Sequence, residues 1–154
     1  MPNIFTTVSK KNIAVIFSVA IFFLIDRLLK LYVLDLYPSY KNILGDVFLF
    51  SFTPNQNIAF SLPLSGLWLN WLITLVIVWL IYIAWPKKSP STFQSNSSAL
   101  WLMIAGASSN LLDRWQYGYV IDYLELKYFT VFNLADAMIV ISALILIWRV
   151  KKTK

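Results

Sequence analysis

Four apolar stretches, 12–34, 64–85, 99–115 and 132–148, dominate the chain and leave only short polar segments between them. A helix that crosses a bilayer needs about 20 mainly apolar residues, and these stretches approach or exceed that length. The third is short and polar at its far end. Hydrophobic residues make up 59% of the 154 residues and charged residues 13%. A soluble domain of this size has too little interior to hide so much apolar surface. The expected fold is therefore an all-α membrane protein. It is a single integral-membrane domain over 1–154 with four transmembrane helices, plus a small extended or β platform in an outer loop over about 35–63.

The basic residues orient this arrangement. Lys10 and Lys11 precede the first span, Lys87 and Lys88 follow the second, and Arg149, Lys151, Lys152 and Lys154 follow the fourth. With an even number of spans they all fall on one side, which the positive-inside rule makes cytoplasmic, together with both termini. The net charge of +6 is thus accounted for by orientation, and nucleic acid is not an expected partner. The first span starts like a signal peptide. Its apolar run leads into DRLLK rather than a small-x-small cleavage site, so it reads as retained. Trp68, Trp71, Trp85, Trp101, Trp115 and Trp148 lie near span ends, as interfacial anchors do. KKSPSTFQSNSS reads as a polar cytoplasmic loop.

The acids gather on the other side. Asp26, Asp35, Asp46, Asp113, Asp122, Glu125 and Asp136 all fall in the outer half or beyond it. Asp26 lies roughly 21 Å up the first helix, at about 1.5 Å per residue. Asp113 nears the outer end of the third span, and Asp136 lies one turn into the fourth. Separate helices thus bring polar groups to one depth, which implies a site near the outer surface. In the outer loops, VFLFSFT (47–53) and the stretch 119–131 have strand composition. Pro54-Asn55 and Pro63 are expected to punctuate the chain before the second span.

Cysteine and histidine are both absent. That excludes disulfides, thiol catalysis and histidine-dependent triads, and it leaves only carboxylates as metal ligands, so neither metal nor cofactor is expected. The intramembrane polar residues each need a partner or a role. Asp26 and Lys30 are four apart on one helical face and suit a mutually neutralising pair. Arg27 is expected to snorkel to the interface. Asn110 lies inside an apolar run, where an amide cross-links helices or meets a ligand. Asp113 and Arg114 near the helix end read as surface charges or, for Arg114, as a fork for a peptide carbonyl or lipid phosphate.

Asn133 and Asp136 in FNLADAM have the spacing of a capping box. Asp122, in YVIDYLEL, lacks such a structural reason and lies at the same outer surface. Two carboxylates held close tend to share one proton near neutral pH. One can then accept a proton from water while the other hydrogen-bonds a substrate carbonyl. This chemistry needs no histidine, cysteine or metal.

The ordered motifs resemble those of the lipoprotein signal peptidase (signal peptidase II) family, over residues 12–149. DRLLK (26–30) is similar to its D-x-x-x-K element, and NQNIAF (55–60) to N-x-G-A-A-F. AGASSNLLDR (105–114) followed by GYVIDY (118–123) resembles G-G-A-x-G-N-x-x-D-R and G-x-V-V-D-F, and FNLADA (132–137) resembles F-N-x-A-D-S. The resemblance implies a bacterial inner-membrane aspartic endopeptidase that cuts prolipoproteins just before a diacylglyceryl-modified cysteine. Asp122 and Asp136 would be its catalytic pair. Asn55, Asn110, Asp113, Arg114 and Asn133 would line or brace the site, with Asp26 and Lys30 in support. The implied partners are the lipid-modified substrate and membrane lipids, and the implied state is a monomer. Glu125 matches no element and is expected to be a solvated loop acid.

The chain departs from the pattern at Asn57 and Ile58, where Gly-Ala stands, and at Ala105 and Ser109, where glycines stand, while Gly106 is retained. These departures motivate a second reading, a paralogue that binds lipoproteins or signal peptides without cutting. A third pairs Ser108 or Ser109 with Lys30 as a hydrolytic dyad. A fourth, an ion or solute channel, fits poorly with polar groups gathered at one end.

Overall fold

The computed structural model describes residues 10–45, 47–56, 66–85 and 97–152. Its elements run α1 (Lys10–Leu36), β1 (Lys41–Leu44), β2 (Phe48–Asn55), α2 (Leu67–Ala84), α3 (Ser97–Tyr117), β3 (Val120–Leu126), β4 (Val131–Phe132) and α4 (Leu134–Lys152). Asp46, Asn57, Ile58, Phe60, Pro63, Lys87, Lys88, Lys154 and most of KKSPSTFQSNSS lie outside the described residues.

Each expected span corresponds to a helix, with shifted ends. The third helix is not short: Ser97 and Ser98, assigned above to the polar loop, begin α3, and it continues past Arg114 to Tyr117. The fourth starts later than 132, because Phe132 belongs to β4 and Asn133 caps α4. Among the described residues only α2 is apolar enough, over a long enough window, to qualify as a membrane span by composition alone. The other helices carry charges within or at the end of their apolar runs: Asp26, Arg27 and Lys30 in α1, Asp113 and Arg114 in α3, and Asp136, Arg149, Lys151 and Lys152 in α4. The helices still present broad apolar outer faces, including Phe17 at 67% and Leu75 at 65% exposure, which water would not favour.

Helix α3 is the central element and packs against α1, α2 and α4. Toward one end its neighbours are apolar, with Leu100 and Ile104 of α3 meeting Ile77, Leu80 and Ala84 of α2. Against α4 the approach depends on Gly106. A Cβ there would lie 2.6 Å from the Ala135 carbonyl oxygen and 3.2 Å from the Met138 Cβ. Of the two adjacent glycines in the resembled motif, the chain has kept the one whose neighbours leave no room for a side chain.

Four antiparallel strands, in the order β1-β2-β3-β4, form one sheet. The expected strand 47–53 is β2, and 119–131 resolves into β3, a turn and the short β4. β1 lies within the outer loop 35–63 expected to form a β platform, although nothing singles it out within that loop; KNIL is only four residues long and exposed throughout. Pro54 and Asn55 do not break the chain as expected. They extend β2, opposite Ile121 and Val120, beyond an irregularity between Phe50 and Thr53. β1 pairs only with Phe48, Leu49 and Phe50, so at Pro54 one edge of β2 has no partner strand, and an edge position is where a proline is tolerated. Gly118, at φ 81°, ends α3 in the left-handed region and donates its N–H to the Arg114 carbonyl at 3.1 Å. That reversal sends the chain directly into β3.

Candidate active site

Two layers of polar side chains occupy the junction of α1, α3, β3 and α4. The lower layer is ionic. Lys30 Nζ lies 3.1 Å from Asp26 Oδ2 and 2.7 Å from Asp113 Oδ2, and donates to Asn110 Oδ1 at 2.8 Å. Asp26, Lys30 and Asp113 are all fully buried. Arg27 completes the group through an ion pair with Asp113 Oδ1 and a 3.2 Å hydrogen bond to the Ser109 carbonyl. The expectation that Arg27 snorkels outward is therefore wrong. A fully buried carboxylate faces it from α3 and holds the guanidinium inward, because Asp113 Oδ1 without a cation away from water would be an uncompensated buried charge.

The ionic layer also holds the backbone. Asp113 Oδ2 accepts the N–H of Ile121, beside Asp122, at 3.2 Å. Asp26 Oδ1 accepts the N–H of Ala135, beside Asp136, at 3.1 Å. Asp113 is thus not the surface charge considered for it. Asp26 does pair with Lys30 as its spacing predicts, but it also anchors the first turn of α4.

The upper layer is built from asparagines around two carboxylates. Asn133 Nδ2 donates to Asp122 Oδ1 at 2.7 Å, to Asn110 Oδ1 at 3.1 Å and to the Ile121 carbonyl at 3.3 Å. Its Oδ1 accepts the Asp136 N–H at 2.8 Å, and its own N–H donates to Asp136 Oδ2 at 3.2 Å. The reciprocal capping box read from FNLADAM is present, and the capping residue is the same side chain that binds Asp122. Asn110 Nδ2 donates to Asp136 Oδ1 at 2.8 Å. From β2, Asn55 Nδ2 donates to Asp122 Oδ2 at 2.9 Å; Asn55 lies two residues along from Thr53, the partner of Asp122 in the register, within diagonal reach on one sheet face.

Asp122 is 1% exposed. Burial and then the charge of Asp136 push its carboxyl up to about 7, against the opposing pull of hydrogen bonds from Asn55 and Asn133 and the more distant charge of Lys30. A carboxyl there is divided between its two protonation states near neutral pH. Arg114 lies within electrostatic range of Asp122, Asp136 and Asp113. With Gln56 and Asn70 on one hand and Leu67 and Leu69 on the other, it lines a cavity of about 160 Å³ that is part polar and part apolar.

The sequence profile described as "Signal peptidase (SPase) II" matches residues 18–152. The chain belongs to the signal peptidase II family. Proteins similar to it include the lipoprotein signal peptidase of Shewanella pealeana, 38% identical over 133 residues that cover 81% of this chain and 78% of that one. The lipoprotein signal peptidase of Halothermothrix orenii is 35% identical over 139 residues, covering 87% and 94%. The fold is similar to that of a bacterial membrane enzyme solved by the in meso method at 2.3 Å resolution. The TM-score is 0.78 and the identity 21%, with 92% of this chain and 90% of that one covered. A second such structure, at 1.9 Å, gives a TM-score of 0.77 and 19% identity.

In this family member, hydrogen bonds and ion pairs join Asp26, Lys30, Asn55, Asn110, Asp113, Asp122, Asn133 and Asp136, all singled out in the sequence. Arg114, also singled out there, lies beside them within electrostatic range of Asp122, Asp136 and Asp113. Three further participants take roles that were not foreseen. Arg27 could have been found from its place beside Asp26, but its partner is 86 residues away. Ser109, considered above as a glycine replacement and as a nucleophile with Lys30, instead directs its hydroxyl to Asp26, as does Tyr123, whose only sequence signal is a hydroxyl where the resembled motif has phenylalanine. Glu125, expected in solvent, lies half-buried in β3 and accepts a hydrogen bond from Ser51 of β2 at 2.7 Å.

Proposed function

We propose that this chain is a membrane-embedded aspartic endopeptidase with Asp122 and Asp136 as its catalytic pair. In this reading it removes signal peptides from prolipoproteins by cutting just before a diacylglyceryl-modified cysteine. The single observation that carries the reading is the Asn133 bridge, which ties both carboxylates to one residue: its side-chain amide donates to Asp122 and its backbone N–H to Asp136. The raised Asp122 carboxyl supports a pair that holds one proton between them near neutral pH.

In the mechanism, the ionised carboxylate takes a proton from a water molecule as its oxygen attacks the scissile carbonyl carbon. The protonated partner hydrogen-bonds the carbonyl oxygen and transfers its proton to it, which gives a neutral gem-diol. Collapse returns a proton from a diol hydroxyl to the pair and delivers another to the amide nitrogen. The C–N bond then breaks into a carboxyl terminus on the signal peptide and an amine on the lipidated cysteine. The pair ends with the one proton it began with. Donors from Asn55, Asn110 and Asn133 hold the carboxyl groups by neutral hydrogen bonds, so orientation is maintained without a fixed cation against either oxygen. Arg114, at the cavity it lines, would hold a substrate carbonyl with its fork of donors.

The same reading has four spans with both termini cytoplasmic, in the bacterial inner membrane, and the site toward the outer side. The chain would act as a monomer without cofactor, on a lipid-modified substrate entering from the bilayer. The separation of exposed apolar helix faces from the polar junction supports it. A non-catalytic paralogue is not favoured, because every expected polar side chain is in place. A Ser-Lys dyad is not favoured either. Ser109 Oγ and Lys30 Nζ approach to 3.5 Å, but the Ser109 proton is directed to Asp26. The Lys30 ammonium faces Asp26, Asp113 and Asn110, which leaves it no lone pair for a base.

The test is cleavage of a diacylglyceryl-modified precursor by purified protein. Asp122→Asn and Asp136→Asn are each expected to remain folded and to lose about a thousandfold or more in kcat. Normal cleavage by either variant would overturn the pair. The wild-type rate is expected to fall as pH rises past about 7, since deprotonating Asp122 leaves the pair without its shared proton. The sign for stability is the same. A carboxyl whose pKa is raised on folding favours the folded state at low pH, and that contribution is lost as pH rises from about 4 to about 7.

A further inference from the structure

The catalytic reading leaves two buried hydroxyls without a role. Tyr123 follows Asp122 in β3 and is 0% exposed. Its hydroxyl donates to Asp26 Oδ1 at 2.9 Å and accepts the N–H of Leu134, the first residue of α4, at 3.0 Å. Ser109, also fully buried, donates to the other oxygen, Asp26 Oδ2, at 2.6 Å. Both stand where the resembled motifs carry no hydroxyl, phenylalanine in one case and glycine in the other. Two separate departures from the pattern therefore converge on one carboxylate.

We propose that Tyr123 and Ser109, acting through Asp26, are positioning residues for peptide cleavage: they hold β3 against the first turn of α4 and so maintain the spacing of Asp122 and Asp136. This rests on the catalytic pair proposed above. The geometry explains why such a link matters. Asp122 is carried by a strand and Asp136 by a helix. The ladder joining β3 to β4 pairs Leu124 with Phe132 and Glu125 with Val131, so it lies beyond Asp122 on the far side of Tyr123. Near the pair itself, the connection is made by side chains.

Tyr123 is suited to that task. Its ring is wedged among Val33, Phe50 and Ile121, with the Phe50 ring centroid 5.4 Å away. A packed aromatic ring has few rotamers, so the core determines where the hydroxyl sits. Burial, reinforced by the charge of Asp26, pushes the phenol well above its ordinary range, so it remains a donor. Asp26 Oδ1 also accepts the Ala135 N–H, so the Tyr123 hydroxyl and Asp26 hold two successive amides of α4. Ser109 fixes the opposite edge of the same carboxylate. It also accepts from Arg27 Nη1 at 3.4 Å and Lys30 Nζ at 3.5 Å. An ordinary buried tyrosine needs a partner only for its own hydroxyl. Here the donor and acceptor roles go to different helices, and the residue adjoins one proposed catalytic acid.

Cleavage of the diacylglyceryl-modified precursor is measured for purified Tyr123→Phe, Ser109→Ala and the double variant, with Asp122→Asn as control. Tyr123→Phe preserves the ring and is expected to lower kcat about tenfold while KM stays within about twofold, because substrate contacts are intact but the acids are less well placed. Ser109→Ala is expected to lower kcat about threefold, and the double variant to lose less than the product of the two, since both act on Asp26. A folded Tyr123→Phe with wild-type kcat, or one changed in KM alone, overturns the proposal. If Tyr123→Phe does not fold, unchanged kcat in Ser109→Ala overturns it. Retained cleavage in Asp122→Asn would instead place the fault in the catalytic assignment.

Discussion

Helix α3 is buried at both ends, but in opposite ways. Around Leu100 and Ile104 it meets apolar side chains of α2, with Leu146 of α4 packed beside them. A few turns on, around Ser109 and Asp113, it meets Asp26, Arg27 and Lys30 of α1 through ion pairs and hydrogen bonds. The apolar end is held by many small, interchangeable contacts, so removing one atom removes only that atom's share. The polar end is held by few, directional and mutually dependent contacts, and removing one partner strands another in a low dielectric. Stability is distributed at one end and concentrated at the other, and the concentrated end carries the site.

Three substitutions test this contrast, each read by unfolding of the purified protein in a fixed detergent. Lys30→Met is expected to have the largest effect, about 3–5 kcal/mol, because Asp26 and Asp113 lose their shared cation while remaining buried. A loss below about 1 kcal/mol would mean that the ionic layer is wetter than its burial implies. Gly106→Ala comes next, at about 1–3 kcal/mol, because the new Cβ would meet the Ala135 carbonyl and push α4 away from α3. It should also lower kcat, since Ala135 adjoins Asp136; unchanged stability would show that α3 and α4 separate freely. Ile104→Val should have the smallest effect, about 0.5–1.5 kcal/mol, with kcat unaltered. A change in kcat there would break the separation between the two ends.

How much of this was legible beforehand differs by residue. The capping box at Asn133 and Asp136 and the Asp26–Lys30 pair are local, three and four residues apart, and both are present. The strand composition of 47–53 also yielded a strand. Arg27 was misread because its partner comes from another helix, and Glu125 because its partner comes from another strand. β1 was not singled out within its loop because an exposed four-residue segment has no buried face to impose alternation. The continuation of β2 through Pro54 follows its pairing with β3, which local composition does not encode.

By itself, the amino-acid order determined the four helices, the cores of β2 and β3 and which polar residues would be placed among apolar ones, because periodicity, caps and composition act over short range. Only the tertiary structure decided which group answers which: Arg27 to Asp113, Tyr123 to Asp26 and Leu134, and Asn133 to Asp122 and Asp136 together. Those contacts span as many as 97 residues. They exist because a buried polar atom takes the partner that packing brings within reach, and only the assembled fold specifies which one that is.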